Sequence, residues 1–397
     1  MNRALTELGI DSVINAAGTI TLLSGSRIAP DIAAAMTAAA QECIDMGLAQ
    51  GRASEIIAEC TGAEAGIVTS GASAGLMLGA AACIAGLDPQ AMEQLPDTSG
   101  LRNEFIVPRS HRNSYDHAIR ACGGRLVEVG YADRLVGVGV RDTEAWEIAR
   151  AITPKTAGIF YVARPGSRPR LSEVAAVAQA AGVPLLVDAA AELPPAANLR
   201  VFLAAGADLV VFSGGKALGG PSASGILCGR RHLVASALLQ HLDLDYDFDA
   251  WTPPAGLIDK EVLKCVPRHG IGRSCKVGKE QIVGLLLALR RFAGASEART
   301  KTLGAIAHHL VDALGDVPGL QVRSVADPDG RGVTLVEVQV TSGLGAPALA
   351  AQLASARPSV RLDASRAESG VLVLVPTCLS ADDAPRIREA FVHALAL

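Results

Sequence analysis

An aspartate and a lysine, each at or just after the end of an apolar run of strand length, have the side chains best suited to catalytic chemistry. Asp188 ends the run from Pro184 to Asp188, and Lys216 follows the run from Leu209 to Phe212. Ligands of open α/β sheets bind beyond the carboxyl ends of the strands, so both side chains are expected to face a cleft. An aspartate after a strand also caps helices and turns, and Asp188 alone leaves both interpretations open.

Lys216 has an unusual local sequence, Ser213-Gly214-Gly215-Lys216, in a chain with only seven lysines. Small neighbours let a ligand approach the backbone closely. A lysine amine that is removed from water can form a Schiff base. The alternative is a solvated lysine in a flexible glycine loop. A Walker A nucleotide loop is not indicated, because the G-x-x-x-x-G-K spacing is missing.

A third segment, Thr69-Ser70-Gly71-Ala72-Ser73, stands between a predicted strand and a helix of small residues. Backbone N–H groups at a helix N-terminus, together with hydroxyls, bind phosphate. A simple helix cap is the alternative. The three segments together are typical of an enzyme that uses pyridoxal 5'-phosphate (PLP). In such enzymes an acid contacts the pyridinium nitrogen and a lysine holds the aldehyde.

Apolar runs and helical stretches alternate over the first 270 or so residues. Strands are predicted at 65–69, 105–108, 125–129, 158–163, 184–188 and 209–212, with helices between most of them. A helix is also predicted from Pro30 to Met46, ending at Gly47. This alternation predicts an α/β fold with a mostly parallel sheet flanked by helices.

The pattern changes after Arg273. Helices are predicted at 279–292 and 302–314, and strands at 333–340 and 371–375. We therefore predict three parts: an N-terminal segment, residues 1–50, packing on the others; a large PLP-binding domain, 51–272; and a small α+β domain, 273–397.

Composition limits the possible partners. The chain has 397 residues, 50% of them hydrophobic and 19% charged, which excludes wholesale disorder. A net charge of −4 does not favour nucleic acid as the main ligand. No signal peptide is evident in the first 15 residues, and no apolar stretch is long enough to suggest a membrane span. Eight scattered cysteines without a C-x-x-C pair point to a reducing compartment. We expect a cytoplasmic protein with neither nucleic acid nor membrane as a partner.

The segment from Asp243 to Asp249 reads D-L-D-Y-D-F-D, with carboxylates on alternate residues. In an extended strand they would share one face and could hold a hard cation. A solvated loop is the favoured interpretation, because the glycine and glutamate positions of an EF-hand are missing. No metal site is predicted.

Several blocks of this sequence resemble fold-type I PLP enzymes related to bacterial selenocysteine synthase, and in particular their D-glucosaminate-6-phosphate ammonia-lyase-like branch. The blocks are Ile14–Thr19, Ser70–Gly75, Pro108–Ser114, Val187–Glu192, Ser213–Pro221 and Gly272–Glu280. The resemblance covers most of the chain. It implies the type I PLP-dependent transferase fold.

The resemblance also implies roles for single residues at the cofactor. Lys216 matches the Schiff-base lysine, and Asp188 matches the acid that keeps the pyridinium protonated. Ser70, Gly71 and Ala72 match the phosphate loop, to which Ser213 would add a hydroxyl. His111 matches the residue that lies against the cofactor ring.

Two arginines are candidates for substrate binding. Arg273 would grip a substrate anion or reach the cofactor phosphate of a neighbouring subunit, or it forms a structural salt bridge. Arg164 lies in the run A-R-P-G-S-R-P-R, Ala163 to Arg170, which departs from the ammonia-lyase branch. Arg164, Arg168 and Arg170 either contact an anionic substrate or are solvated.

The implied activity is a PLP-dependent lyase acting on an amino acid or amino-sugar acid with a β-hydroxyl. Lys216 would deprotonate Cα, and β-elimination would give a 2-keto acid and ammonia. The alternatives are a transaminase, a racemase, an aldolase, a β-replacement such as selenium transfer, or a catalytically silent PLP-fold binding protein. The resemblance further implies a homodimer or a higher homo-oligomer.

Overall fold

The structure of the chain, a computed structural model, describes residues 3–131, 142–245 and 247–396. It consists of two compact units. The larger comprises Ile28–Ala293, and the smaller combines Met1–Arg27 with Gly294–Leu397. The predicted domain bounds at residues 50 and 272 stay a prediction, because compactness alone does not delimit a cofactor-binding domain.

Twelve strands and fourteen helices are formed in the described ranges. The strands are β1 (Val13–Ala16), β2 (Ala65–Thr69), β3 (Glu104–Pro108), β4 (Arg125–Val129), β5 (Thr156–Val162), β6 (Leu185–Asp188), β7 (Leu209–Ser213), β8 (Gly225–Gly229), β9 (Leu320–Ala326), β10 (Thr334–Val340), β11 (Ser359–Leu362) and β12 (Val371–Leu374). The helices are α1 (Arg3–Glu7), α2 (Pro30–Ala40), α3 (Met46–Thr61), α4 (Ala72–Ala85), α5 (Pro89–Gln94), α6 (Asp116–Ala121), α7 (Ala145–Ala151), α8 (Leu171–Ala181), α9 (Asn198–Ala204), α10 (Arg231–Leu239), α11 (Lys279–Gly294), α12 (Ser296–Leu314), α13 (Ala346–Ser355) and α14 (Asp383–Ala396).

The larger unit is built on a seven-stranded sheet in the order β2-β8-β7-β6-β5-β3-β4. Every pairing from β7 to β4 is parallel, whereas β8 runs antiparallel to both β2 and β7. Strands β2, β3, β5 and β6 are buried at every residue. Continuous apolar runs of this kind are typical of sheets that are covered on both faces.

Helices cover both faces of this sheet. On one face α4 packs with α10 in a cluster that includes Leu76, Leu209 and Leu238. On the other face α3, α8, α9 and α11 pack in a cluster that includes Ile57 and Leu285. The predicted α/β class with a mostly parallel sheet is therefore confirmed.

The helix predicted from Pro30 to Met46 is wrong beyond Ala40. Helix α2 ends at Ala40, and α3 begins at Met46. The Asp45 carboxylate accepts a hydrogen bond of 2.9 Å from the N–H of Leu48 and so caps α3. Gly47 consequently lies in the first turn of α3 and does not end a helix.

The smaller unit is α+β. Its antiparallel sheet has the order β12-β10-β9, and β1 pairs in parallel with β11. Buried side chains of α12, α13 and α14, such as Leu310, Leu349 and Phe391, share one core with Val338 of β10. Among the helices of the described ranges, none has both the length and the apolar character that a membrane span requires.

Candidate active site

The carboxyl ends of three strands carry the acid, the lysine turn and the predicted phosphate turn. Asp188 ends β6, Ser213 ends the adjacent β7, and Thr69 ends β2. Gly225 of β8 pairs with both Ser213 and Thr69, so one strand separates the lysine turn from the phosphate turn. The sheet topology thus brings the three segments to one edge.

Asp188 is buried, with 7% of its surface exposed. Its Oδ1 accepts a hydrogen bond of 3.0 Å from the N–H of Ala190. Burial raises the pKa of the Asp188 carboxyl, and the Ala190 N–H and the charges of Lys216 and Arg164 oppose that rise. A buried carboxyl in a cationic setting is well suited to hold a positively charged ring nitrogen.

A compact turn fixes the backbone of Lys216. The N–H of Gly214 donates to the carbonyl of Ser224 at 2.8 Å, and the N–H of Gly219 donates to the carbonyl of Lys216 at 3.0 Å. A Cβ at Gly215 would lie 2.6 Å from the Cα of Ser222, so only glycine fits there. Lys216 itself is half-buried.

The predicted phosphate turn has the features of an anion site. Gly71 has a φ of +91° and precedes α4 without a side-chain cap, and a Cβ there would meet open space. A Cβ at Gly225 would lie 2.6 Å from the carbonyl carbon of Gly71, so a larger residue on β8 would displace the turn. The uncapped N–H groups at the start of α4, beginning at Ala72, are available to phosphate oxygens.

The Ser70 hydroxyl is used within the protein. It donates a hydrogen bond of 2.6 Å to the carbonyl oxygen of Cys275. The Nε2 of His241, a buried residue, lies 3.1 Å from the same oxygen and donates to it. Burial lowers the pKa of His241, which favours the neutral ring. Ser70 therefore ties the turn to residues 271–275, a contact that sequence reasoning missed.

His111 is a buried, fixed ring at the end of β3. Its Nε2 lies 3.0 Å from the carbonyl oxygen of Arg168 and donates to it, and its Nδ1 accepts from the N–H of Val162 at 3.3 Å. The ring meets Tyr161 edge to face, with 4.6 Å between the centroids. Val162 of β5 pairs with Asp188 of the neighbouring strand β6. Because both nitrogens contact backbone, His111 is suited to packing and not to proton transfer.

Arg273 lies in the segment 271–275, which the Ser70 hydroxyl ties to the phosphate turn. Its guanidinium donates to Asp243 at 2.9 Å and to the carbonyl of His241 at 3.3 Å. It lines a cleft of about 870 Å³ that also includes Gln50 and Trp251. The structure thus contains the salt bridge that was one of the three predicted roles, and the two ligand-binding roles stay predictions.

The aspartate run is mainly a solvated loop. Asp243 and Asp245 are exposed and each lies 3.8 Å from Nε2 of His269, which is also exposed. Leu244 is buried and Phe248 is half-buried, and Tyr246 lies outside the described residues.

Taken together, the strand-end residues fit PLP. Asp188 would contact the pyridine nitrogen, Lys216 the aldehyde carbon, and the turn at Gly71 the phosphate. Ser213 is half-buried at the end of β7. It pairs with Gly225 of β8, which on its other side pairs with Thr69 just before that turn.

Comparison with known proteins gives a consistent result. Residues 27–213 match the model of the DegT/DnrJ/EryC1/StrS aminotransferase family. The chain is 31% identical to D-glucosaminate-6-phosphate ammonia lyase of Salmonella typhimurium (strain 14028s / SGSC 2262), over 98% of each chain. It is 33% identical to 5'-C-glycyluridine monooxygenase-decarboxylase of a Streptomyces species, over 94% of this chain and 88% of the relative.

A solved structure of D-glucosaminate-6-phosphate ammonia-lyase superposes with a TM-score of 0.81 at 31% identity. The alignment covers 99% of this chain and 100% of the other. The similarity therefore extends through both compact units.

Proposed function

The chain belongs to the family of fold-type I, PLP-dependent enzymes that includes D-glucosaminate-6-phosphate ammonia-lyase, and on this basis we propose that it is itself a PLP-dependent ammonia-lyase. Its substrate is an amino acid or amino-sugar acid with a β-hydroxyl, and its products are a 2-keto acid and ammonia. The observation that carries this proposal is the placement of Asp188 at the end of β6 and of Lys216 in the turn after the adjacent parallel strand β7.

Asp188 and Lys216 have separate roles in the proposed reaction. PLP, when bound, accepts the electron pair that remains at Cα after proton removal. The Asp188 carboxylate holds the proton on the ring nitrogen, since burial strengthens its interaction with a cation. The Nζ of Lys216 takes the proton from Cα as general base. The β-hydroxyl leaves as water, with the proton that Lys216 took from Cα, and the released enamine takes up one water to give the 2-keto acid and ammonia.

The other named residues hold the cofactor in place. The N–H groups at Gly71 and Ala72, with the Ser213 hydroxyl, bind the phosphate. The His111 ring packs on the pyridine face, and its two backbone hydrogen bonds keep it there. Arg164 and Arg273 bind substrate anions.

A second candidate reaction comes from the relative named as a monooxygenase-decarboxylase, at 33% identity. Such a reaction consumes dioxygen and releases carbon dioxide. Ammonia-lyase chemistry does neither, so the products separate the two candidates.

The experiment is a screen of the purified holoenzyme with D- and L-hydroxy-amino acids and phosphorylated amino-sugar acids. We expect ammonia and a 2-keto acid in equal amounts, without dioxygen uptake. Dioxygen uptake with carbon dioxide release would replace the proposal with the oxidative reaction. Keto acid without ammonia would indicate a transaminase.

We also propose that the protein is a cytoplasmic homo-oligomer, at least a dimer, that binds neither nucleic acid nor membranes. The eight free cysteines support a reducing compartment. Enzymes of this fold commonly complete each active site with a neighbouring subunit.

A further inference from the structure

In the described ranges, strand β2 is an edge strand of the seven-stranded sheet, so one row of its backbone groups faces no neighbouring strand. Two side chains of helix α3 pair with this row. The Gln50 amide donates to the carbonyl of Val68 at 2.8 Å and accepts from the N–H of Val68 at 2.9 Å. The Ser54 hydroxyl accepts from the N–H of Gly66 at 3.1 Å. Helix α3 therefore bonds to β2 as a neighbouring strand would.

The spacing of these residues explains the match between helix and strand. Gln50 and Ser54 lie four residues apart on one face of α3, a rise of about 6 Å. Val68 and Gly66 lie two residues apart on β2, a distance of about 6.5 Å. The Gln50 and Ser54 side chains are buried, with 1% and 6% exposed. A Cβ at Gly66 would lie 2.4 Å from Cγ2 of Ile57, so α3 lies directly on β2.

Thr69 connects this contact to the phosphate turn. Thr69 follows Val68, ends β2 and is fully buried. Its hydroxyl donates to the carbonyl of Gly71 at 2.9 Å. Its carbonyl accepts from the N–H of Gly71, also at 2.9 Å. These two bonds hold Gly71 at its φ of +91°. Gln50 thus fixes the strand end, and Thr69 carries that position into the turn.

We propose that Gln50 is a positioning residue for the cofactor phosphate. By holding both backbone groups of Val68, it fixes the strand end from which the N–H groups of Gly71 and Ala72 reach the phosphate. Hydrogen bonds weaken steeply when the donor moves out of line, so a small displacement of this strand end lowers the affinity for PLP. The proposal rests on the proposed function, because it takes the turn at Gly71 as the phosphate site.

The test starts from Gln50→Met, which keeps the length of the side chain and removes both hydrogen bonds to Val68. We expect the dissociation constant of PLP to rise about tenfold. The phosphorus-31 NMR resonance of the bound phosphate should shift as well, whereas a loss of fold stability alone would leave that resonance in place. Gln50→Glu still accepts from the Val68 N–H, so its affinity should fall less, by about threefold. It carries the test if Gln50→Met does not fold.

Ser54→Ala is the matched control, because it breaks a bond between the same helix and the same strand, two residues further from the turn. It should lower the temperature of thermal unfolding but leave the PLP dissociation constant and the phosphorus resonance unchanged. The proposal is overturned if the Gln50 variants bind PLP as the unmodified protein does, or if Ser54→Ala loses as much affinity as they do. Failure of the lyase assignment would appear separately, as no ammonia from any substrate while the PLP affinities of the Gln50 and Ser54 variants still differ.

Discussion

Ser70 and His241, far apart in sequence, donate hydrogen bonds to the same carbonyl oxygen, that of Cys275, at 2.6 Å and 3.1 Å. A carbonyl oxygen has two lone pairs, so both donors are satisfied. The shared acceptor joins the phosphate turn to the turn after α10, which contains His241, and to the segment that carries Arg273. The conformation of the phosphate turn therefore depends on residues outside it.

This relationship predicts coupled effects on cofactor binding. Ser70→Ala and His241→Phe should each weaken PLP binding by about three- to tenfold, the value of one net hydrogen bond. In the double variant the losses should not add, since both act through Cys275. The measurement is the PLP dissociation constant after dialysis.

Two further variants serve as controls for the Ser70→Ala and His241→Phe substitutions. His241→Gln keeps a donor near the Nε2 position and should retain most of the affinity. Thr37→Ala removes a hydroxyl of the same kind on α2, where it donates to Ala33, and should have no effect. Fully additive losses would mean that Ser70 acts on the cofactor directly.

Lys216 should be the residue that bears the cofactor. Borohydride reduction of the holoenzyme should attach PLP irreversibly, and peptide mapping should find the label on the peptide that contains Lys216. Lys216→Ala should lose both the label and turnover. A label on Lys155 or Lys279 would contradict the assignment.

Asp188→Asn should retain PLP but lower turnover by about 10²-fold or more, because a neutral amide cannot hold the ring nitrogen protonated. Steady-state kinetics and the cofactor content of the purified variant measure both effects. Turnover close to that of the unmodified enzyme would reduce Asp188 to a turn residue that accepts from Ala190.

Glu104 predicts a pH dependence of stability. It begins β3, which leads to His111, and it accepts from the Thr153 hydroxyl at 2.8 Å and from Arg125 at 2.6 Å. These bonds hold the pKa of the Glu104 carboxyl below its ordinary value of 4.5. Its contribution is therefore complete above pH 4.5 and is lost as the pH falls through the depressed pKa.

Glu104→Gln should accordingly lower the free energy of unfolding at pH 7 by about 1–2 kcal/mol. The difference from the unmodified protein should shrink as the pH is lowered below 4.5. Urea denaturation at pH 7 and at a pH below 4.5 measures the free energy of unfolding of both proteins. A pH-independent difference would attribute the loss to packing alone.

Much of the fold could be predicted from the sequence, because the buried strands are continuous apolar runs. Strand β4 was predicted with its observed bounds, Arg125–Val129, and the family, fold class and cofactor are confirmed. Strand β8 was missed, since Gly225–Gly229 is short and flanked by glycines. The break between α2 and α3 is not evident from the sequence, because the helical pattern continues on both sides of the Asp45 cap.

Part of the candidate site could likewise be predicted from the sequence and part could not. Asp188 and Lys216 stand out because Asp188 ends one strand and Lys216 follows another, and both strands are evident as apolar runs in the sequence. The contact between Ser70 and Cys275 has no such signal, since its acceptor is a backbone carbonyl and any residue could supply it. The buried His241 is likewise defined only by tertiary packing, because it lies in a turn after α10, where no periodic pattern distinguishes a core histidine from a surface one.

The last prediction concerns Arg273 and assembly. If Arg273 acts in the active site of a neighbouring subunit, mixing the inactive variants Lys216→Ala and Arg273→Ala should restore part of the activity. A mixed dimer can assemble one site in which both residues are intact. Sedimentation should show a dimer or a larger assembly, and a fully active monomer would contradict the proposal.

The salt bridge with Asp243 offers a matched control, because Asp243→Asn breaks the ion pair and leaves the guanidinium in place. If Arg273 binds a substrate anion or the partner's cofactor phosphate, Asp243→Asn should keep most of the activity while Arg273→Ala loses it. If the ion pair only fixes the 271–275 turn against His241, the two variants should lose activity equally. Mixing should then restore nothing even where subunit exchange is demonstrated, because each Arg273 would serve its own subunit.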